Sequence, residues 1–241
     1  MISEIVLARY KEDISWANIL NNVTIYNKGP KVESKHKVIN LPNLGMQGAS
    51  QIYHCYKNYD NLADITIFLQ AWPWDGTLEE QMGWKNDTEG IIKMISYYSD
   101  IPEGKYMSRP AFQQTIANIY DCPTNYNQRH HEFFITNTVN WAEWMNLLDP
   151  YKKIDPYKPW SFYRNGHYAL KKEAIRSNPK EYYEMLLDHW KYDVPIVEWL
   201  AESSLQFIFN IDSNCEIIDL GHSDFDFTNN KNVSEWLQER P

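Results

Sequence analysis

A chain of 241 residues, 43% of them hydrophobic, can bury one large core, and no run of eighteen apolar residues is present to span a bilayer. Its 23 basic residues face 32 acidic ones, and the net charge of -9 disfavours broad contact with a phosphate backbone, so nucleic acid is not an expected partner. Cys55, Cys122 and Cys215 lie far apart with no CxxC pair, which suits a reducing compartment and excludes a thiolate zinc cluster. The opening MISEIVLARY enters a strand-like run without the basic flank and long apolar stretch of a secretory leader, so the expected location is the cytoplasm. Aromatic residues are abundant at 15%; such rings fill cores and also stack on the apolar faces of sugars.

Residues 4–10, EIVLARY, form a β-branched and apolar run that ends in the polar KED, the pattern of a buried strand reaching a functional edge. A second run, VTIYNKGP, stops at Gly29 and Pro30. The third, KVINLPN, gives way to NLGMQG, after which ASQIYHCYKNYDNL places Ile52, Cys55, Tyr56 and Tyr59 at helical spacing. ADITIFLQ follows as a fourth strand. Three strands, a helix and a strand within seventy residues predict a mainly parallel sheet, whose ligands bind beyond the carboxyl ends of its strands. Those ends are residues 9–13, 26–29, 43–48 and 70–75.

Residues 76–159 alternate helical stretches such as TLEEQMGW and VNWAEWMNLL with Pro-bearing connections, as in a variable insert. From 160 onward, WSFYRNGHYALKKEAI reads as strand then helix, PKEYYEMLLDHWKY as helix and VEWLAESSLQFIF as an amphipathic helix. The expected architecture is a single α/β domain over 1–241, with a ligand-binding half at 1–75, the insert at 76–159 and a second half with tail at 160–241. The phosphate-cradling, dinucleotide, nucleophile-elbow and zincin motifs are absent, and His130 and His131 are adjacent, so they cannot share one helix face as a metal pair.

The run ARYKEDISW resembles the end of the first strand in GT-A glycosyltransferases, above all the inverting family that includes cellulose and chitin synthases. The stretch from NLGMQG to WPWD is similar to that family's turn, helix and strand leading to a metal-binding Asp-x-Asp. A resemblance over nearly the whole chain up to Phe209 is to family 3431 of the domains of unknown function, found in fungi, bacteria and large viruses. It is carried by ARYKEDISW, IYNKG, LPNLG, YDNLADITIFLQ, the GHYALKKEAIRSNPKEYYEMLL block and ExxLQFIF.

The GT-A resemblance implies a Rossmann-like, GT-A-like fold and a donor of UDP, GDP, CMP or dTDP type. Arg9, Tyr10, Glu12, Asp13, Asn27, Lys28, Asn43, Gly45 and Gln70 are the nucleotide-sugar candidates. Trp72, Trp74, Asp75, Arg164, Gly166 and His167 are candidates for the donor and acceptor sugars. Gln70, Ala71 and Trp72 occupy the places of Asp, Ala and Asp, so a manganese or magnesium ion loses both usual carboxylates; Asp75 and His222 are the remaining metal candidates. In their absence Arg9, Lys28, Arg164 and Lys171 are the cations available to a leaving diphosphate. Glu202 matches the carboxylate of the family's general base, with Glu198 one turn earlier as the fallback. The expected activity is inverting sugar transfer to a glycan or lipid-linked acceptor. The alternatives are a glycoside hydrolase, which needs two separated carboxylates, and a non-catalytic sugar- or nucleotide-binding module of surface-glycan assembly.

Overall fold

The structure is a computed structural model that describes residues 2–73, 87–100, 107–108, 112–114, 148, 160–162, 167–189, 201 and 204–209. Strand β1 (Ser3–Arg9) pairs in parallel with β2 (Val23–Asn27) on one side and with β4 (Ile65–Gln70) on the other. Strand β3 (Lys37–Asn40) adds in parallel outside β2. Strand β8 (Tyr168–Lys171) joins β4 antiparallel, and the two-residue β5 (Met107–Ser108) closes the order β3-β2-β1-β4-β8-β5. A separate ribbon pairs β6 (Phe112–Gln114) with β7 (Trp160–Phe162). The fold is thus α/β with a mixed, mostly parallel sheet.

Both faces of the sheet are covered, which is why its strands are nearly unbroken apolar runs. Helix α1 (Met46–Lys57) covers one face together with α4 (Lys180–His189), packing on Val6, Tyr26, Phe68, Tyr168 and Leu170. A 3-10 turn at Ser15–Ile19 and helix α2 (Thr88–Ser99) cover the other, over Leu7, Ile25, Ile67 and Leu69. Each fully buried Leu, Ile or Phe of these layers contributes roughly 1.5–3 kcal/mol relative to exposure. Because the connection after β1 lies on one face and α1 lies on the other, strand order reverses between β1 and β4. In open α/β sheets the ligand crevice lies at such a switch point, beyond the carboxyl edge of the strands.

Three local expectations change. Helix α1 starts at Met46, ahead of the expected ASQIYHC stretch, because Gly45 takes the left-handed conformation (φ 59°) and turns the chain directly into the helix. The segment from 160 holds two strands rather than one before helix α3 (Lys172–Arg176), since β7 and β8 belong to different sheets. The continuous helix expected over 197–209 is interrupted by a turn at Ser204, from which the four-residue α5 (Leu205–Ile208) departs. Asn178 ties α5 down: its Nδ2 donates to the Ile208 carbonyl at 2.7 Å, while the Tyr59 hydroxyl donates to its own carbonyl at 2.6 Å. Among the described residues no helix is long and apolar enough to cross a membrane. The helices expected at TLEEQMGW and, but for the helical Leu148, VNWAEWMNLL lie outside the described residues.

Candidate functional site

Four strand ends meet at the carboxyl edge, in a register that aligns Arg9 with Asn27, Asn27 with Asn40, and Ala8 with Gln70. Arg9 is held by neutral oxygens only. Its Nε donates to the Glu12 carbonyl at 2.9 Å, and its Nη1 donates to Asn27 Oδ1 at 2.6 Å, the Pro30 carbonyl at 3.0 Å and the Tyr10 carbonyl at 3.2 Å. Among the described residues its Nη2 has no hydrogen-bond partner and no carboxylate forms an ion pair with it. A guanidinium whose donors are fixed in this way is a rigid positive group, offset only through space by the nearby Asp13 carboxylate.

Asn27 is buried and serves as a bracket, its Nδ2 donating to the carbonyls of Gly29 and Pro30 and to Asn40 Oδ1, each at 3.1 Å. Lys28 donates from Nζ to the Leu44 carbonyl at 2.5 Å and also to the Met46 carbonyl, which joins β2 to the turn opening α1. In that turn Met46 follows Gly45 with a positive φ of 38°. A side-chain-bearing residue held there stores about 1–3 kcal/mol of strain, and the Lys28 ammonium binds the carbonyls on either side of Gly45.

The two acidic candidates face their own loop. Glu12 accepts from the amides of Tyr10 at 2.6 Å and Lys11 at 3.0 Å. Asp13 accepts from the Ser15 hydroxyl at 2.7 Å and the Ser15 amide at 2.9 Å, and the hydroxyl bond leads in holding its carboxyl below the usual carboxylate range. Both close turns, as short acidic side chains do, and Asp13 starts the Ser15–Ile19 turn while Ile14 holds the formal cap position. The Trp16 indole then donates to the Ala71 carbonyl at 2.9 Å, fastening that turn to the end of β4.

What this framework leaves outward is aromatic and amide. Tyr10 is 41% exposed just past β1, Trp72 is 47% exposed just past β4, and Asn43 is exposed in the turn before α1. Gln70 is half-buried, and Gly45 is buried at the helix start. His167 is 1% exposed, directly ahead of β8 and therefore at this same edge, but inside the wall rather than on it. Lys171 lies at the far end of β8, opposite Ile65 at the start of β4, and is removed from the edge. Trp74, Asp75, Arg164, Gly166, Glu198, Glu202 and His222 lie outside the described residues. The residue that sequence reasoning passed over is Asn40; its only signal was its place at the end of the third strand.

At the end of β4 the described donors are one neutral amide, on Gln70, and no carboxylate. They do not fit a divalent manganese or magnesium ion, which takes several hard oxygens. Among the described residues no group of three or more His, Cys, Asp or Glu side chains is placed to hold a metal. No family model, no curated protein and no solved structure matches the chain.

Proposed function

We propose that this chain is a GT-A-type glycosyltransferase that binds a nucleotide-sugar in the crevice at the carboxyl edge and passes the sugar to a carbohydrate acceptor with inversion. The observation that carries this is Arg9, a guanidinium fixed by neutral oxygens at the end of β1, with no partner for Nη2 and no ion pair to a carboxylate among the described residues. Such a group is suited to an anionic ligand, and a diphosphate is the anion that an open α/β crevice most often receives. The resemblance of ARYKEDISW to the GT-A family supports the same conclusion from the sequence side.

In this mechanism the acceptor hydroxyl gives its proton to the Glu202 carboxylate as its oxygen attacks the anomeric carbon. The bond from that carbon to the diphosphate oxygen breaks on the opposite side, and the charge arriving on the leaving group is met by Arg9. Trp72, exposed just past β4, offers a ring of the kind that stacks on a pyranose face. A non-catalytic nucleotide-sugar module is the second possibility, favoured by the amide that stands at Gln70 in place of a carboxylate.

A thermal-shift screen of UDP, GDP, CMP and dTDP sugars, with and without manganese, tests the proposal. A cognate donor at about a hundred times its Kd stabilises by roughly 2.7 kcal/mol, a rise of about 5–10 °C for a chain of this size. No shift with any donor would sink both possibilities, whereas a shift without sugar transfer in any acceptor mixture would leave the non-catalytic one.

A further inference from the structure

Arg9, Asn27 and Asn40 end three adjacent strands and are joined in one hydrogen-bonded row. The chemistry of the row decides which end of each amide faces which neighbour. An arginine can only donate. Arg9 therefore requires Oδ1 of Asn27 to face it, at 2.6 Å, which turns Nδ2 of Asn27 toward Asn40. Because Nδ2 can only donate, Asn40 must present Oδ1 to it, at 3.1 Å. The remaining end of Asn40, its NH2 group, has no partner among the described residues, and Asn40 is solvent-exposed. The donor-only character of Arg9 is thus passed through two amides to the outer end of the row, about 10 Å away across two strand spacings.

We propose that Asn40 is a specificity-determining residue of the crevice, presenting hydrogen-bond donors alone to a keto oxygen of the ligand's nucleobase, with Arg9 and Asn27 as positioning residues for its amide. The inference rests on the nucleotide-sugar reading above: with the diphosphate against Arg9, the base extends along the row toward β3. With the C4 edge of the base toward this amide, a donor-only group selects uracil, which carries a keto oxygen at C4, over cytosine, which carries an amino group there; the C2 keto oxygen is common to both. Two donors facing each other leave both unpaired, and a site arranged to hydrogen-bond one group disfavours the analogue that lacks it.

Calorimetric titration of the chain with UDP and with CDP, which differ at that base position, is the direct test. UDP is expected to bind about tenfold tighter or more. In Asn40→Asp one carboxylate oxygen still accepts from Asn27 while the other faces the ligand as an acceptor, so the preference should turn toward CDP. Equal binding of UDP and CDP by the unaltered chain, or an unchanged preference in Asn40→Asp, would overturn the role of Asn40 while leaving the crevice intact. If neither nucleotide binds, the crevice reading fails and the role of Asn40 fails with it. Side-chain amide hydrogen exchange reads the orientation without any ligand: the Asn27 NH2 should exchange slowly and the Asn40 NH2 at the rate of an open amide. Protection of Asn40 equal to that of Asn27 would overturn the orientation whatever the nucleotide result.

Discussion

Gly29 passes so close to the backbone of Tyr10 that a Cβ on it would lie 1.6 Å from the Tyr10 carbonyl oxygen and 2.5 Å from the carbonyl carbon. This is an approach of two backbones, so no side-chain rotation relieves it. It lets the Lys28 amide donate to the Arg9 carbonyl at 2.8 Å, extending the β1–β2 pairing to the lip of the crevice. Gly29→Ala must push the two loops apart, and the expected cost is about 2 kcal/mol or more. Urea unfolding checks this, and a loss below about 0.5 kcal/mol would mean that the loops part freely.

Arg9 is expected to act directly on phosphate and on the base only through the orientation of Asn27 and Asn40. Arg9→Met removes the charge-assisted bonds of the guanidinium, worth about 1.5–3 kcal/mol, so nucleoside diphosphate affinity should fall roughly 10- to 100-fold. Affinity for the bare nucleoside should change much less. Titration of both ligands into both proteins decides the matter, and an equal loss for nucleoside and diphosphate would show that Arg9 only shapes the loop.

His54 gives the fold a defined response to acid. It is fully buried in α1, with Nδ1 facing the Tyr26 hydroxyl at 3.1 Å and the Asn58 Nδ2 at 3.2 Å. Its Nε2 lies 3.7 Å from Glu4 Oε2. Burial, with a smaller contribution from the Lys37 charge, pushes its pKa down to about 3 from 6.5. The unfolded chain therefore binds the extra proton first. Stability from this residue is complete above about pH 6.5 and declines as pH falls toward 3. Urea midpoints from pH 8 to 4.5 should drop in the native protein and drop less in His54→Asn, which starts less stable at pH 8. Asp64 does not confuse the result. Its pKa is lowered chiefly by the Lys172 bond, so its contribution is lost only as pH falls below the ordinary carboxylate range.

Glu202→Gln keeps the shape of the side chain and removes its basicity. If Glu202 takes the acceptor proton, transfer should fall about 10²- to 10⁴-fold with donor binding unchanged. Full activity in the glutamine variant would reassign the base.

Much of the scaffold was legible in the chain. Residues 4–10 and the run ADITIFLQ are continuous β-branched and apolar segments, the pattern of strands buried on both faces, and they form β1 and β4 within two residues of the expected limits. Helical spacing likewise marked α1, and the polar residues that follow each run marked the crevice edge. These features are local, because strand and helix periodicity is written into consecutive side chains.

The roles at the edge were not legible, because they depend on partners that sequence distance hides. The sequence does not show that Glu12 and Asp13 each accept hydrogen bonds within their own loop, nor that His167 is buried ahead of β8 where that strand packs against β4. The sequence by itself determined the strands, their order of appearance and the chemical types gathered at their ends. Only the tertiary structure decided that residues 9, 27 and 40 stand in one row, since strand register, not chain order, sets which side chains touch. Once they touch, the one-way donation of Arg9 determines which end of each amide faces out.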